Sequence, residues 1–133
     1  MIYKISCQIC GDHFDASKIA GHNDSVSVSG DGIVTCDGEP FGTDYFRQDC
    51  EKKILDFIQN NETTLLNCGA EKCVIRYEMH YSLQCNGEIL SPETISRFSR
   101  INLPIEISLT TKDYPDYEAF EEWERQLWKK REE

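Results

Sequence analysis

The sequence predicts an α+β domain built on a single, mainly antiparallel sheet of about 4–6 strands, with helices packed on one face. Several stretches place apolar residues at every second position, which is the period of a strand with one buried face. Other stretches repeat apolar residues every three or four positions, as amphipathic helices do. Because strand and helix patterns are mixed along the chain, an α+β arrangement fits best.

The first half of the chain is predicted to contain three strands and a long helix. Residues 2–10 alternate and form the first strand, and 16–20 form at most a short helical turn. Residues 25–36 alternate on both sides of a Gly-Asp-Gly turn, which indicates a hairpin. The spacing of apolar residues over 44–59 predicts a helix, and 62–68 add a second short one that Gly69 caps.

The second half opens with the clearest pattern in the chain. Residues 73–85 alternate almost without interruption and predict a long strand, followed by an Asn86-Gly87 turn. Ser91 and Pro92 then predict the start of a helix. The predicted buried contacts of that helix are Ile95 and Phe98; those of the next strand, 103–111, are Leu103, Ile105, Ile107 and Leu109. A C-terminal helix over about 115–131 has an apolar stripe of Tyr117, Phe120, Trp123 and Leu127.

Length and cysteine content predict one cytoplasmic domain spanning 1–133. A chain of 133 residues buries enough surface to fold without a metal or disulfide. It contains neither a membrane-length apolar run nor a signal-peptide pattern at its N-terminus. The seven cysteines are an odd number, and several occupy core-like positions, so we expect reduced thiols.

The charge of the chain favours a basic protein as its partner. There are 24 acidic and 14 basic residues, a net charge of −10, which argues against nucleic acid as a ligand. Between Asp12 and Asp44, seven acids face one base, Lys18. Such a field attracts basic partners, although it also serves solubility alone. The predicted partner-binding residues are Asp24, Asp31, Asp37, Glu39 and Asp44.

A thiol site is the alternative function. Cys7 and Cys10 have the spacing of a zinc-binding pair, but a strand points them to opposite faces and no second histidine follows His22. We therefore expect no metal and no cofactor, and the alternative is a zinc- or thiol-dependent regulatory module using these two cysteines. His80, beside Glu78 and Arg76 on the polar face of the long strand, is the only basis for an enzyme, and no catalytic motif supports one.

The second half of the chain resembles the small bacterial domains known as domain of unknown function 4279. The resemblance lies in the long strand 72–85, the helix opening at 89–95, and the strand 103–109; residues 11–15 and Ile19 match more faintly. It implies a compact α+β domain without an established active site. Small acidic domains of this sort are similar to immunity proteins. The expectation is therefore a non-catalytic domain, monomer or weak dimer, that binds and neutralises a basic bacterial toxin domain without contacting nucleic acid or membrane.

Overall fold

The computed structural model describes residues 1–23, 25–38, 40–83 and 90–132, with side chains as far as residue 130. In chain order the strands are β1 (Ile2–Cys10), β2 (Gly21–Asn23), β3 (Val26–Val28), β4 (Ile33–Cys36), β5 (Lys72–Tyr81) and β6 (Ile105–Asp113). The helices are α1 (Asp44–Asn60), α2 (Glu62–Asn67), α3 (Pro92–Phe98) and α4 (Tyr117–Glu132), and Ala16–Lys18 form a 3₁₀ turn. None of the described helices has the length and apolar character needed to cross a bilayer.

The strands form one mixed sheet in the order β2-β3-β4-β1-β5-β6. All pairings are antiparallel except the last, in which β6 runs parallel to β5. The predicted α+β class is therefore confirmed. The pair is parallel because the connection that contains α3 returns the chain to the end of the sheet where β5 begins, and β6 starts there.

The core lies between α1 and one face of the sheet. The odd-numbered residues of β1 and β5 point towards α1, as their alternation predicts. The largest fully buried side chains there include Tyr77, Phe57, Ile54, Ile58, Leu65 and Leu103. On the outer side of α1, α3 is attached by Thr94, which donates to Glu51, and by Arg97, which donates to Asp56.

Helix α4 contacts the opposite face of the sheet near the start of β1. Trp123 packs edge-on against His80, whose side chain lies on the even-numbered face of β5. Phe120 is buried beside Trp123 and Tyr114, and the N-terminal amine of Met1 forms an ion pair with Glu124. In addition to the predicted helical layer, a second and smaller aromatic cluster therefore forms on the other face.

The alternation predicted for β5 ends earlier than expected. The strand stops at Tyr81, Leu83 adopts a positive φ of 62° and its side chain is 62% exposed. The prediction that Leu83 belongs to the buried face is therefore wrong, because a residue in the left-handed region leaves the extended strand. Cys85 and the predicted Asn86-Gly87 turn lie outside the described residues.

Three other predicted core residues are exposed. Ser91 caps α3 as predicted, but the helix turns Thr94 inward and leaves Ile95 at the surface, so its predicted burial is wrong. Ile107 and Leu109 are also exposed, contrary to prediction, because β6 forms the edge of the sheet. Strand β2, at the other edge, had no apolar pattern and was not predicted.

Candidate protein-binding site

Three of the five predicted partner-binding acids lie among the described residues, and all three are exposed. Asp31 is in the turn between β3 and β4. Asp37 follows β4, accepts a hydrogen bond from Ser27 Oγ at 2.6 Å and lies 3.2 Å from His22 Nδ1. Asp44 is the first residue of α1, where the helix dipole stabilises its charge. Asp24 and Glu39 lie outside the described residues.

The structure places these acids at two different ends of the sheet. Strands β1 and β4 are antiparallel, so Asp37, after the last residue of β4, is at the end where β1 begins. Asp44 is at the same end, because Gly42 forms a β-bridge with Tyr3. Asp31 is at the far end, about 20 Å from Asp37 by the rise of a strand over six residues. Asp37 and Asp44 can therefore contribute to one surface that does not include Asp31.

An apolar cleft lies beside Asp44, between the start of α1 and the second half of α4. Its volume is about 250 Å³, and the residues that line it are Phe41, Gly42, Thr43, Tyr45, Phe46, Asp49, Leu127 and Lys130. Tyr45 is 54% exposed, and Trp128, next to Leu127 on α4, is 42% exposed. Large aromatic side chains at the surface are the residues that most often dominate protein–protein binding energy. We call this feature the α1/α4 cleft.

Gly42 shapes the α1/α4 cleft. Its N–H donates to Tyr3 O at 3.0 Å and its carbonyl accepts from Tyr3 N at 2.7 Å, which fixes the segment to the edge of β1. A methyl group on Gly42 would lie 2.2 Å from the Phe46 ring, so no larger residue fits without moving Phe46. The glycine therefore allows the backbone to pass directly over an aromatic wall of the cleft.

The surroundings of the α1/α4 cleft are acidic. Between residues 37 and 50 the sequence contains four acids, Asp37, Glu39, Asp44 and Asp49, and one base, Arg47; Glu51, Lys52 and Lys53 follow. Arg47 is buried, with its guanidinium held between Asp44 and Glu51, so it adds little positive charge to the surface. Bases lie nearby as well: Lys130 lines the cleft, Lys4 lies over the Phe41 ring that lines it, and Lys53 pairs with Asp49 at 2.8 Å. An apolar centre with exposed carboxylates on its α1 side is suited to a basic side chain of a partner protein.

A buried ion pair holds the start of α1 in place. Arg47 donates to Glu51 Oε1 at 3.0 Å, and Thr94 Oγ1 donates to the other oxygen, Oε2, at 3.1 Å. Burial raises the pKa of Glu51, and the charge of Arg47 only partly offsets this effect. Burial disfavours the charged guanidinium, but Glu51 and Asp44 outweigh it and raise the pKa of Arg47. The hydrogen bond from Thr94 to Glu51 therefore connects the helix that carries Tyr45 to α3.

The polar face of β5 is covered at one end and open at the other. His80 is buried against Phe41 and Trp123, and its Nδ1 lies 2.7 Å from the Tyr114 hydroxyl. Burial lowers the pKa of His80, although Glu78, 3.5 Å from Nε2, opposes this effect. Arg76 is exposed and donates to Gln8 Oε1 at 2.8 Å. His80 is therefore not solvated although it lies on the polar face of β5, because Phe41 and α4 cover it.

Cys7 and Cys10, the predicted thiol pair, lie on opposite faces of β1. Cys7 is fully buried beside Cys73; its hydrogen bond with that thiol and its burial raise its pKa. Cys10 lies on the other face of β1 and donates weakly to Gln8 O. Among the described residues, no three His, Cys, Asp or Glu side chains come close enough to hold a metal ion. The structure thus does not assemble a site around the Cys7/Cys10 pair.

Comparison with protein-family models, with curated proteins and with solved structures finds no match to this chain. The sequence analysis proposed Asp37 and Asp44 as candidates and did not consider Tyr45 or Trp128. Both aromatic residues lie off the apolar stripes predicted for their helices, and that departure is the signal that could have found them.

Proposed function

We propose that this chain is a non-catalytic, acidic protein-binding domain that acts as an immunity protein, binding and neutralising a basic bacterial toxin domain in the cytoplasm. The observation that carries this proposal is the α1/α4 cleft, where the exposed ring of Tyr45 adjoins the exposed carboxylates of Asp44 and Asp49. The net charge of −10 supports it further, and so does the resemblance to domain of unknown function 4279, by analogy between small acidic domains of that sort and immunity proteins.

The site offers two different contributions to binding. Tyr45 and the apolar walls of the cleft can bury an anchoring side chain of the partner, which supplies affinity. Asp44, beside the cleft, and Asp37, at the same end of the sheet, attract lysine and arginine residues, which raises the rate of encounter and selects basic partners. In this proposal the carboxylates occupy the place that phosphate groups would take on a toxin that acts on nucleic acid.

The test is growth rescue in bacteria that express a toxin domain encoded next to this gene. The wild-type chain should restore growth and copurify with the toxin domain. Tyr45→Ala should weaken binding at least about 30-fold, the effect of losing an aromatic hot spot. Asp37→Asn with Asp44→Asn should weaken it through loss of attraction, whereas the matched control Asp31→Asn, at the far end of the sheet, should behave as wild type. Equal effects of Asp31→Asn and the double variant would exclude the α1/α4 cleft as the binding site.

A further inference from the structure

Strand β6 forms a long outer edge of the sheet. It has nine residues, Ile105–Asp113, and pairs with β5 on one side only. In the part of the chain that the structure describes, no strand covers its other side. The opposite edge, β2, has only three residues. A long edge strand without proline presents a row of backbone groups that can pair with another strand.

The backbone hydrogen bonds show which residues of β6 face outward. Cys73 N donates to Pro104 O at 2.9 Å, and Tyr114 N donates to Tyr81 O at 2.8 Å. The even-numbered residues of β6 therefore point their backbone N–H and C=O groups towards β5. Backbone groups alternate in direction along a strand, so the odd-numbered residues point away from β5. The outward-facing N–H and C=O groups belong to Ile105, Ile107, Leu109, Thr111 and Asp113.

The same strand exposes apolar side chains. Ile107 lies next to Ile75 and Leu109 next to Tyr77, on the face of the sheet that forms the core. Ile75 and Tyr77 are buried, whereas Ile107 is 37% and Leu109 50% exposed. The edge therefore combines unpaired backbone groups with apolar surface, the two features that favour addition of another strand.

We propose that β6 pairs antiparallel with β6 of a second copy of this chain, about a two-fold axis through Leu109. In this register Ile107 lies opposite Thr111 of the second copy, and the outward backbone groups form about ten hydrogen bonds between the strands. On the other face, Glu106 lies opposite Lys112 of the second copy, and the symmetry repeats this pair. The two sheets then join into one continuous sheet across an isologous interface.

Charge complementarity identifies both the partner and the register. Moving the axis by one residue places Glu106 opposite Thr110 or Tyr114 and removes both ion pairs. Only the axis at Leu109 pairs the whole length of Ile105–Asp113 with itself and sets opposite charges against each other. Lys72 of the same chain lies 3.0 Å from Glu106. In the dimer each Glu106 would therefore lie between two lysines, Lys72 of its own chain and Lys112 of the second copy. A strand that complements itself in this way fits a second copy of the chain.

The test measures molar mass as a function of concentration by sedimentation equilibrium. The wild-type chain should form a dimer, and Leu109→Lys, which places two positive charges at the axis, should be monomeric with an unchanged circular dichroism spectrum. Leu66→Lys replaces another exposed leucine, on α2, and should leave the dimer intact. A wild-type chain that stays monomeric at about 1 mM, the limit of weak specific association, overturns the proposal. So does a dimer that Leu109→Lys leaves unchanged.

The register is tested by exchanging charges. Glu106→Lys places lysine opposite Lys112, and Lys112→Glu places glutamate opposite Glu106, so each variant alone should associate at least tenfold more weakly than wild type. Mixing the two variants restores opposite charges at both positions, and the mixture should form heterodimers in preference to either homodimer. A mixture that shows no such preference contradicts the register centred on Leu109.

Discussion

Removal of the Arg47 guanidinium by Arg47→Met tests the role of the buried ion pair. At 3.0 Å and an effective dielectric constant of about 20, the attraction between Arg47 and Glu51 is about 5 kcal/mol. Part of this attraction is offset by the cost of burying the guanidinium. After the substitution Glu51 keeps its hydrogen bond from Thr94 but loses the opposite charge. The loss of one partner of a buried pair then lowers the free energy of unfolding by about 3 kcal/mol.

Urea denaturation at neutral pH measures this effect. With a slope of about 2 kcal/mol per molar, the midpoint should fall by about 1.5 M. The control is Arg97→Met, because Arg97 pairs with Asp56 at 2.7 Å in a partly exposed position, where the loss of such a pair should cost about 1 kcal/mol, less than the loss of a buried one. The double variant Arg47→Met with Glu51→Met should recover much of the loss, since it leaves no unpaired buried charge.

The effect of Arg47→Met should also depend on pH. Glu51 already has a raised pKa because of burial, and loss of Arg47 raises it further. A carboxyl group with a raised pKa in the folded state contributes stability at acid pH that is lost as pH rises, so the variant should be closer to wild type at pH 4 than at pH 7. A loss below about 1 kcal/mol at pH 7, or a double variant as unstable as the single one, would refute the reasoning.

Three further predictions concern packing and protonation. Because burial lowers the pKa of His80, wild-type stability should fall as pH drops below about 6.5, and His80→Gln should flatten that dependence in thermal melts; an unchanged slope would contradict it. Gly42→Ala should cost about 1–3 kcal/mol in urea denaturation by displacing Phe46; full stability would contradict the close approach. Cys10→Ser should change the free energy of unfolding by less than about 0.5 kcal/mol and leave the zinc content of the purified protein unchanged. Loss of bound zinc in this variant would support the alternative of a zinc- or thiol-dependent module.

The periodicity of the sequence predicted the elements that pack on α1. The alternation of β1 and the helical spacing of α1 were correct because each element buries one continuous face. The pattern failed at the margins of the sheet. Ile107 and Leu109 alternate like core residues but are exposed, because position at the edge of a sheet is a property of the topology and not of the strand.

The candidate site could be predicted only in part. The charge of the chain pointed to acids such as Asp37 and Asp44, but the sequence could not show that Asp31 lies at the other end of the sheet. The α1/α4 cleft is formed by segments about 80 residues apart, so no local pattern contains it. Its position depends on how Gly42 joins β1, which is a tertiary contact.

The most direct measurement of the proposed function is the rate of association with the basic toxin domain over a range of salt concentrations. If the rim of the α1/α4 cleft steers binding, the rate constant should fall as ionic strength rises, because salt screens exposed charges. Asp37→Asn with Asp44→Asn should reduce that dependence, and Asp31→Asn should preserve it. A rate constant that is independent of salt, or equally altered by Asp31→Asn, would contradict the account.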